Sequence, residues 1–165
     1  MFINNTDSII FDEFEHKYAN CIYAQYPHIS NVNIHCVYPE QYLRLKNVPN
    51  IDDIESDPFA YSCSNTGNNC IAYIIYSPII CSSLGLNNDE LDAAIAHEVG
   101  HIVHYFNTSL ENCPNIVCEI KADEVATYLG LKSSLINVLS KLVHSNNYTE
   151  NQINGMKKRM LFLRI

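Results

Sequence analysis

A chain of 165 residues is long enough to bury a hydrophobic core without crosslinks, and we expect residues 1–165 to form a single domain. Its composition, 47% apolar and 17% charged, is that of a globular protein and excludes a disordered chain. The formal charge of −8 repels phosphate backbones and anionic lipids, so we expect no nucleic acid partner and no membrane surface.

The N-terminus and the cysteines both favour a cytoplasmic protein. Residues 1–18 contain acids where a signal peptide needs a basic start and an unbroken apolar run. The seven cysteines are irregularly spaced and odd in number, which predicts free and mostly buried thiols. Cys113 and Cys118 are five residues apart, which is not the usual spacing of paired zinc cysteines, so we do not expect them to bind metal.

The first predicted element is a helix over residues 8–26. Apolar side chains recur there at steps of three and four residues, which is typical of an amphipathic helix. Ser8 or Asp7 is the expected N-terminal cap, and Pro27 helps to end the helix.

Three strands are predicted to follow. The first lies within NVNIHCVYP, residues 31–39, where apolar residues alternate. FAYSCS (59–64) and NCIAYIIYS (69–77), joined by the turn sequence NTGN, form a hairpin rich in aromatic and β-branched residues. Residues 61–88 contain no charge, but their dense apolar run is too short to span a bilayer, so a buried strand is the better interpretation.

From residue 87 onward the apolar period is helical. Asn87 and Glu90 have the spacing of a capping box that opens the first of these helices. A second helix is predicted to start near Pro114, and Thr149 with Gln152 forms another capping box before a last helix. The elements together predict an α+β fold, in which a small three-stranded sheet packs on the helix after Asn87, with further helices towards the C-terminus.

The helix after Asn87 contains the sequence HEVGH. His97 and His101 lie one turn apart on the same helix face, so their imidazoles can converge on one metal ion. Glu98 is rotated by about 100° from His97, where it can stand beside the ion and accept a proton from an attacking water molecule. Gly100 leaves room for another backbone to approach. The alternative is a chance arrangement of these residues on an ordinary buried helix.

Two histidines need a third protein ligand, and Glu119 in CEIKADEVA is the candidate. Ala122 and Ala126 are small enough to let this helix approach the first one closely. Asp123, one turn beyond Glu119, can accept the free N–H of a ligand histidine and fix its tautomer. His104 lies more than about 10 Å along the helix axis from the first histidine, so it is a poor ligand. Zinc is the expected ion, and another divalent ion that prefers nitrogen and oxygen is the alternative.

Two segments resemble a known family of enzymes. LGLNNDELDAAIAHEVGHIVH and EIKADEVA are similar to the signatures of the HtpX-like and CaaX-prenyl-protease-like zinc metallopeptidases, which are zincins with a glutamate as third ligand. The predicted hairpin resembles the strands that precede their active-site helix, so the resemblance covers roughly residues 57–130. Because membrane helices are not predicted and Glu119 follows His101 by only 18 residues, the compact soluble forms of this group are the better comparison.

The resemblance implies a zincin-like fold and a zinc-dependent endopeptidase acting on a peptide or protein substrate. It implies that His97, His101 and Glu119 bind zinc, and that Glu98 is the general base and acid. It also implies that Asp123 orients a ligand histidine.

Substrate binding and regulation are less constrained. The resemblance implies that the strand at residues 70–77 binds an extended peptide by strand addition. Tyr128, His144 and Tyr148 come late enough in the chain to stabilise an oxyanion, although packing or surface roles are the simpler interpretation. Two alternatives stay open: a zinc-binding protein without turnover, and a latent protease blocked by its C-terminal residues 157–165. For that tail, an amphipathic last helix packed on the core is the simpler interpretation.

Overall fold

The computed structural model describes residues 1–46, 57–107 and 115–165, and these form an α+β fold with a four-stranded mixed sheet and seven α-helices. In chain order the elements are β1 (Phe2–Asn4), α1 (Ile10–Gln25), a 3₁₀ turn (Pro27–Ile29), β2 (Asn33–Val37), α2 (Pro39–Lys46), β3 (Phe59–Thr66), β4 (Asn69–Tyr76), α3 (Pro78–Ser83), α4 (Asn88–Tyr105), α5 (Asn115–Tyr128), α6 (Lys132–His144) and α7 (Glu150–Arg164). No helix in this part of the chain is both long and apolar enough to cross a membrane.

The sheet has one strand more than the three that the sequence predicts. Its strand order is β1-β2-β4-β3, with β1, β2 and β4 parallel and β3 antiparallel to β4. The additional strand, β1, pairs Phe2 with Ile34, and the N-terminal ammonium donates to the carbonyl of Val32 at 2.7 Å. A strand of three residues is too short to show an alternating pattern, so only its parallel pairing with β2 reveals it.

The expected substrate strand is not at an edge of the sheet. In β4, Ile74 pairs with Cys36 of β2 on one side and with Tyr61 of β3 on the other. Because β4 is hydrogen-bonded along both sides, no peptide can add to it, and the prediction for residues 70–77 is wrong. Among the described strands, β3 forms the edge on this side of the sheet. The predicted hairpin itself is confirmed, with Gly67 at φ +63° in the turn.

Two of the three expected helix caps are confirmed. In α4 and α7, the side chains of the cap residue and of the third helical residue each accept a hydrogen bond from the other's backbone N–H. The predicted cap of α1 is wrong: the cap position is Ile9, without a side-chain cap hydrogen bond, and the Asp7 carboxylate instead accepts a hydrogen bond from Tyr38. The predicted start near Pro114 lies outside the described residues.

Cys21, Cys36, Cys63, Cys70 and Cys81 have free thiols, as expected, but most of the cysteines in the described ranges are not buried. Cys36 and Cys81 are buried, whereas Cys21 is exposed on α1. The remaining three are half-buried: Cys63, Cys70 and Cys118. Cys113 lies outside the described residues.

Helix α4 is surrounded by other elements. Its apolar stripe, including Ile95, Val99 and Ile102, is buried, and so is the opposite side that carries the two histidines. Strands β3 and β4 and helices α1, α5 and α6 all pack against α4. This confirms the expectation that both sides of the helix are covered, and it gives buried surroundings to every side chain of HEVGH.

Helix α5 approaches α4 very closely at Gly100. A Cβ atom placed on Gly100 would meet the backbone of Ala122, with the Ala122 Cα only 2.6 Å away. Backbone atoms cannot move aside as the end of a flexible side chain would. The two helices therefore pack at a distance that requires glycine at this position.

We expect Gly100→Ala to lower the free energy of unfolding, measured in urea. Overpacking costs about 1–3 kcal/mol, and a clash with backbone belongs to the upper part of that range, above the ~1 kcal/mol by which alanine favours a helix over glycine. The matched control is Gly155→Ala in α7, where an added Cβ has no atom within 4 Å. That variant should gain about 0.5–1 kcal/mol. Equal losses in the two variants would contradict the close packing of α4 on α5.

Candidate metal centre

The start of α4 fixes which way its histidines face. Asn87 Oδ1 accepts from the Glu90 N–H and Glu90 Oε2 accepts from the Asn87 N–H, both at 3.0 Å. Lys141 of α6 donates to the same Glu90 oxygen at 2.6 Å and to the Gly85 carbonyl at 2.7 Å. The capped and anchored first turn sets the phase of the helix that carries His97 two turns later.

His97, His101 and Glu119 converge as the sequence predicts. The two histidine Nε2 atoms are 3.1 Å apart, Glu119 Oε2 is 3.3 Å from His97 Nε2, and Glu119 Oε1 is 3.3 Å from His101 Nε2. A tetrahedral zinc ion with ligands at about 2.0–2.1 Å holds those ligands about 3.3 Å apart. The three side chains therefore fit a single metal ion, and together they form a group that can hold one.

Asp123 occupies the position expected of a residue that orients a ligand. His97 Nδ1 donates to Asp123 Oδ1 at 2.8 Å, so that Nε2 is the ring nitrogen that faces Glu119 and His101. Burial and the nearby Arg159 lower the pKa of His97, but hydrogen bonds with Asp123 and Glu119 raise it more, to about 9. For Asp123 itself, burial acts to raise the pKa, and the hydrogen bonds from His97 and Arg159 bring it below its usual value.

The second histidine is held from the sheet. The ring of Tyr61 in β3 stacks on His101 with centroids 4.3 Å apart and planes 10° apart. Burial lowers the pKa of His101, and burial also raises the pKa of Tyr61, to about 12. The sequence analysis did not identify Tyr61, because a tyrosine in a predicted hairpin carries no metal-binding pattern.

Glu98 is buried beside the three ligands and lines the same cleft. Burial raises its pKa to about 7, with Glu119 and Asp57 adding to the rise and His97 and Arg159 opposing it. A cation bound between the ligands would stabilise the charged form and lower this pKa. Glu98 is therefore a buried carboxylic acid of raised pKa in the same cleft as the three ligands.

Arg159 of α7 is a site residue that the sequence analysis missed. Its side chain is buried and contacts Asp123, Glu119 and His97. The missed signal was its register: Arg159 and Leu163 are one turn apart and are the two buried residues of α7. An arginine on the buried face of a helix requires an acidic partner inside the protein.

Other side chains considered as ligands lie outside the cluster. His104 Nε2 donates to the Lys121 carbonyl at 3.0 Å, so it ties α4 to α5 and does not face the three ligands. Cys118 lines the cleft but does not belong to the metal-holding group.

Of the three candidate oxyanion groups, only Tyr148 lines the cleft. Its hydroxyl donates to Asp57 Oδ1 at 2.8 Å, and burial raises the pKa of this tyrosine well above its usual value. Tyr128 lines a separate cavity of about 380 Å³, and its ring packs edge-on against Tyr26. His144 is exposed, with Nδ1 donating to the Ser140 carbonyl at 2.6 Å.

The cleft has a volume of about 710 Å³ and two chemically different sides. One side holds the metal-ligand cluster, Glu98 and the start of β3. The other side is apolar and comes mainly from α6 and α7: Leu135, Val138, Leu139, Leu142 and Met156. Polar groups and an apolar surface therefore face a common space that is large enough for several side chains.

No protein-family model, curated protein or solved structure matches this chain. The chemistry of the site is therefore inferred from its own ligand atoms. Two imidazoles and a carboxylate suit zinc and related divalent ions, and a second carboxylic acid stands beside them without being a ligand. Such an arrangement can bind an ion and exchange a proton next to it.

We expect the purified protein, loaded with zinc and desalted, to retain one ion per chain by elemental analysis. Glu119→Gln should weaken binding at least tenfold in competition with a chelator, because it removes the anionic ligand. Glu98→Gln is the matched control and should still bind, since this carboxylate is not needed as a ligand. A wild-type protein without stoichiometric metal would show that the cluster is only a set of buried hydrogen bonds.

Proposed function

We propose that this protein is a zinc-dependent metallopeptidase that hydrolyses peptide bonds, with a compact zincin-like fold related to the HtpX-like enzymes. The observation that carries the proposal is the convergence of His97, His101 and Glu119 at tetrahedral spacing, with Glu98 buried beside them in a cleft. A purely structural zinc site has no use for such a non-ligand carboxylate, so Glu98 favours hydrolysis over metal storage.

A bound zinc ion would polarise the scissile carbonyl and make a neighbouring water molecule more acidic. Glu98 accepts the proton of that water as it attacks and then delivers it to the leaving amine. Asp123 keeps the Nδ1 of His97 protonated throughout, so that Nε2 stays available to the ion. The ring of Tyr61, which stacks on His101 from the sheet, fixes the ring plane of this second histidine.

The substrate peptide would bind along β3 and not along β4. β3 is an edge strand of the sheet in the described part of the chain, and residues 57–61 at its start line the cleft. An extended peptide can take up the backbone donors and acceptors of such an edge. The apolar side of the cleft would then receive a bulky apolar side chain, which indicates a substrate class of peptides with such a residue near the scissile bond.

The latent-protease alternative rests on the C-terminal tail. Residues 157–164 belong to α7, which packs on α5 and α6 and reaches the metal centre through Arg159. Deleting about ten C-terminal residues would also remove Arg159, so that experiment cannot separate a blocked cleft from a damaged site.

Glu98→Gln should reduce the rate of cleavage of a fluorogenic peptide library about 10²–10⁴-fold, because proton transfer at this position is lost. Its zinc content should remain that of the wild type. The control is Glu124→Gln, a change of the same kind at an exposed glutamate of α5, which should leave the rate unchanged. Zinc-loaded wild type that cleaves no peptide in the library, with the same slow background in Glu98→Gln, would favour the binding protein without turnover.

Tyr148→Phe tests the oxyanion role of the cleft tyrosine. If its hydroxyl donates to the developing oxyanion, removing it should lower kcat by roughly 10²–10³-fold with little change in KM. Tyr128→Phe is the matched control, because that hydroxyl lies at a different cavity. Steady-state kinetics that show equal kcat values for both variants and the wild type would exclude Tyr148 from this role.

A further inference from the structure

We propose that Arg159 is a positioning residue that holds Glu119 and Asp123 in the arrangement that binds the metal, which makes α7 part of the metal centre. The inference rests on the metal-binding part of the proposed function and not on peptide hydrolysis. It concerns a residue 40 positions after Glu119, outside both segments that point to the site.

Three donors of one guanidinium engage both carboxylates. Arg159 Nε donates to Asp123 Oδ2 at 2.9 Å, and Nη2 donates to Asp123 Oδ1 at 2.6 Å. Nη1 donates to Glu119 Oε2 at 2.8 Å. The two acids are one turn apart on α5, so the planar guanidinium spans them in a way that the single ammonium of a lysine cannot.

The Arg159 guanidinium also contacts the first histidine, His97. Asp123 Oδ1 accepts from both Arg159 and His97, so the arginine fixes the carboxylate that in turn fixes the imidazole tautomer. Arg159 Nη2 lies 3.1 Å from His97 Nδ1 and 3.4 Å from its Nε2, against the imidazole ring. One side chain of α7 thereby positions a metal ligand of α4 and another of α5.

In the metal-free protein, the negative charges of the two carboxylates on α5 require a positive charge such as that of Arg159. Glu119 and Asp123 repel each other across one helical turn, and Asp123 is almost fully buried. Arg159, itself 8% exposed, compensates part of this charge and keeps the site formed. Its bond to Glu119 uses Oε2 and leaves Oε1 directed at His101 Nε2, 3.3 Å away.

The guanidinium has a second, opposing effect, because its positive charge repels a metal cation. We expect positioning to dominate, since loss of a residue that orients a metal ligand typically weakens metal binding by about 10–100-fold. The two effects predict opposite signs for the removal of Arg159. A binding measurement can therefore decide between them.

The experiment compares Arg159→Met and Arg159→Lys with Arg164→Met, a matched change at an exposed position of the same helix. Zinc dissociation constants are measured by chelator competition, and thermal unfolding of the metal-free proteins shows whether each variant is folded. The tautomer of His97 is assigned by nitrogen-15 NMR in the metal-free proteins, at a pH high enough for the imidazole to be neutral. Arg159→Met should weaken zinc binding at least tenfold, and its His97 should lose the fixed Nδ1–H tautomer.

Arg159→Lys keeps a buried cation but cannot donate to both carboxylates as the guanidinium does, so its zinc affinity should stay well below that of the wild type. The zinc affinity of Arg164→Met should match that of the wild type. If lysine restores full affinity, charge alone suffices and positioning is overturned. Unchanged affinity in folded Arg159→Met, with only a lower melting temperature, would mean that the arginine merely attaches α7. Tighter binding would identify it as a competitor of the metal.

Failure of this inference can be told apart from failure of the proposed function. Zinc binding that depends on Arg159 supports the inference even if no peptide is cleaved, because the measurement does not involve turnover. Wild-type protein that hydrolyses peptides but binds zinc equally well without Arg159 overturns the inference alone. A wild type that binds no zinc overturns both.

Discussion

The contact between Gly100 of α4 and the backbone of Ala122 in α5 sets the separation of the two helices on which the candidate site is built. Ala122 directly precedes Asp123 and lies one turn after Glu119, so any shift of α5 at this point moves both acids away from the histidines. Ligand atoms 3.1–3.3 Å apart leave little room for such a shift. The metal-binding geometry is therefore a consequence of helix packing, and a single missing Cβ permits it.

Close packing also creates an electrostatic problem, because it brings three acids and two histidines together, and all of them except the half-buried Glu119 are buried. Hydrogen bonds compensate most of this charge. Burial would raise the pKa of Glu119, but the hydrogen bonds with His101 and His97 bring that pKa far below its usual value. Arg159 completes the compensation from α7, and its own pKa is raised by Asp123 against the effect of burial. The C-terminal helix thus contributes charge to a site whose ligands come from α4 and α5, which the packing of these three helices makes possible.

The parts of this structure that the sequence predicts are those encoded by local spacing. The i, i+4 pair of His97 and His101, the capping boxes and the alternating strands each lie within a few residues, and all appear in the fold. The error in the α1 cap is local, but the errors that bear on the site concern long-range pairing. Nothing local shows that β2 pairs with β4 and turns the expected substrate strand into a central one, or that Tyr61 reaches His101 from the sheet. Arg159 was accessible only through its helical register with Leu163.

The strand order has a further consequence for how substrate and metal would be related. Tyr61 belongs to β3, where its backbone pairs with Ile74, and its ring lies flat on His101. On the proposed function, one residue then both borders the peptide-binding edge and fixes the plane of a metal ligand. A peptide that adds to β3 would restrict the motion of that strand. The Tyr61 ring, stacked on His101, would then restrict the motion of the imidazole. Binding of the substrate and ordering of the metal ligand would in this way be coupled through a single side chain.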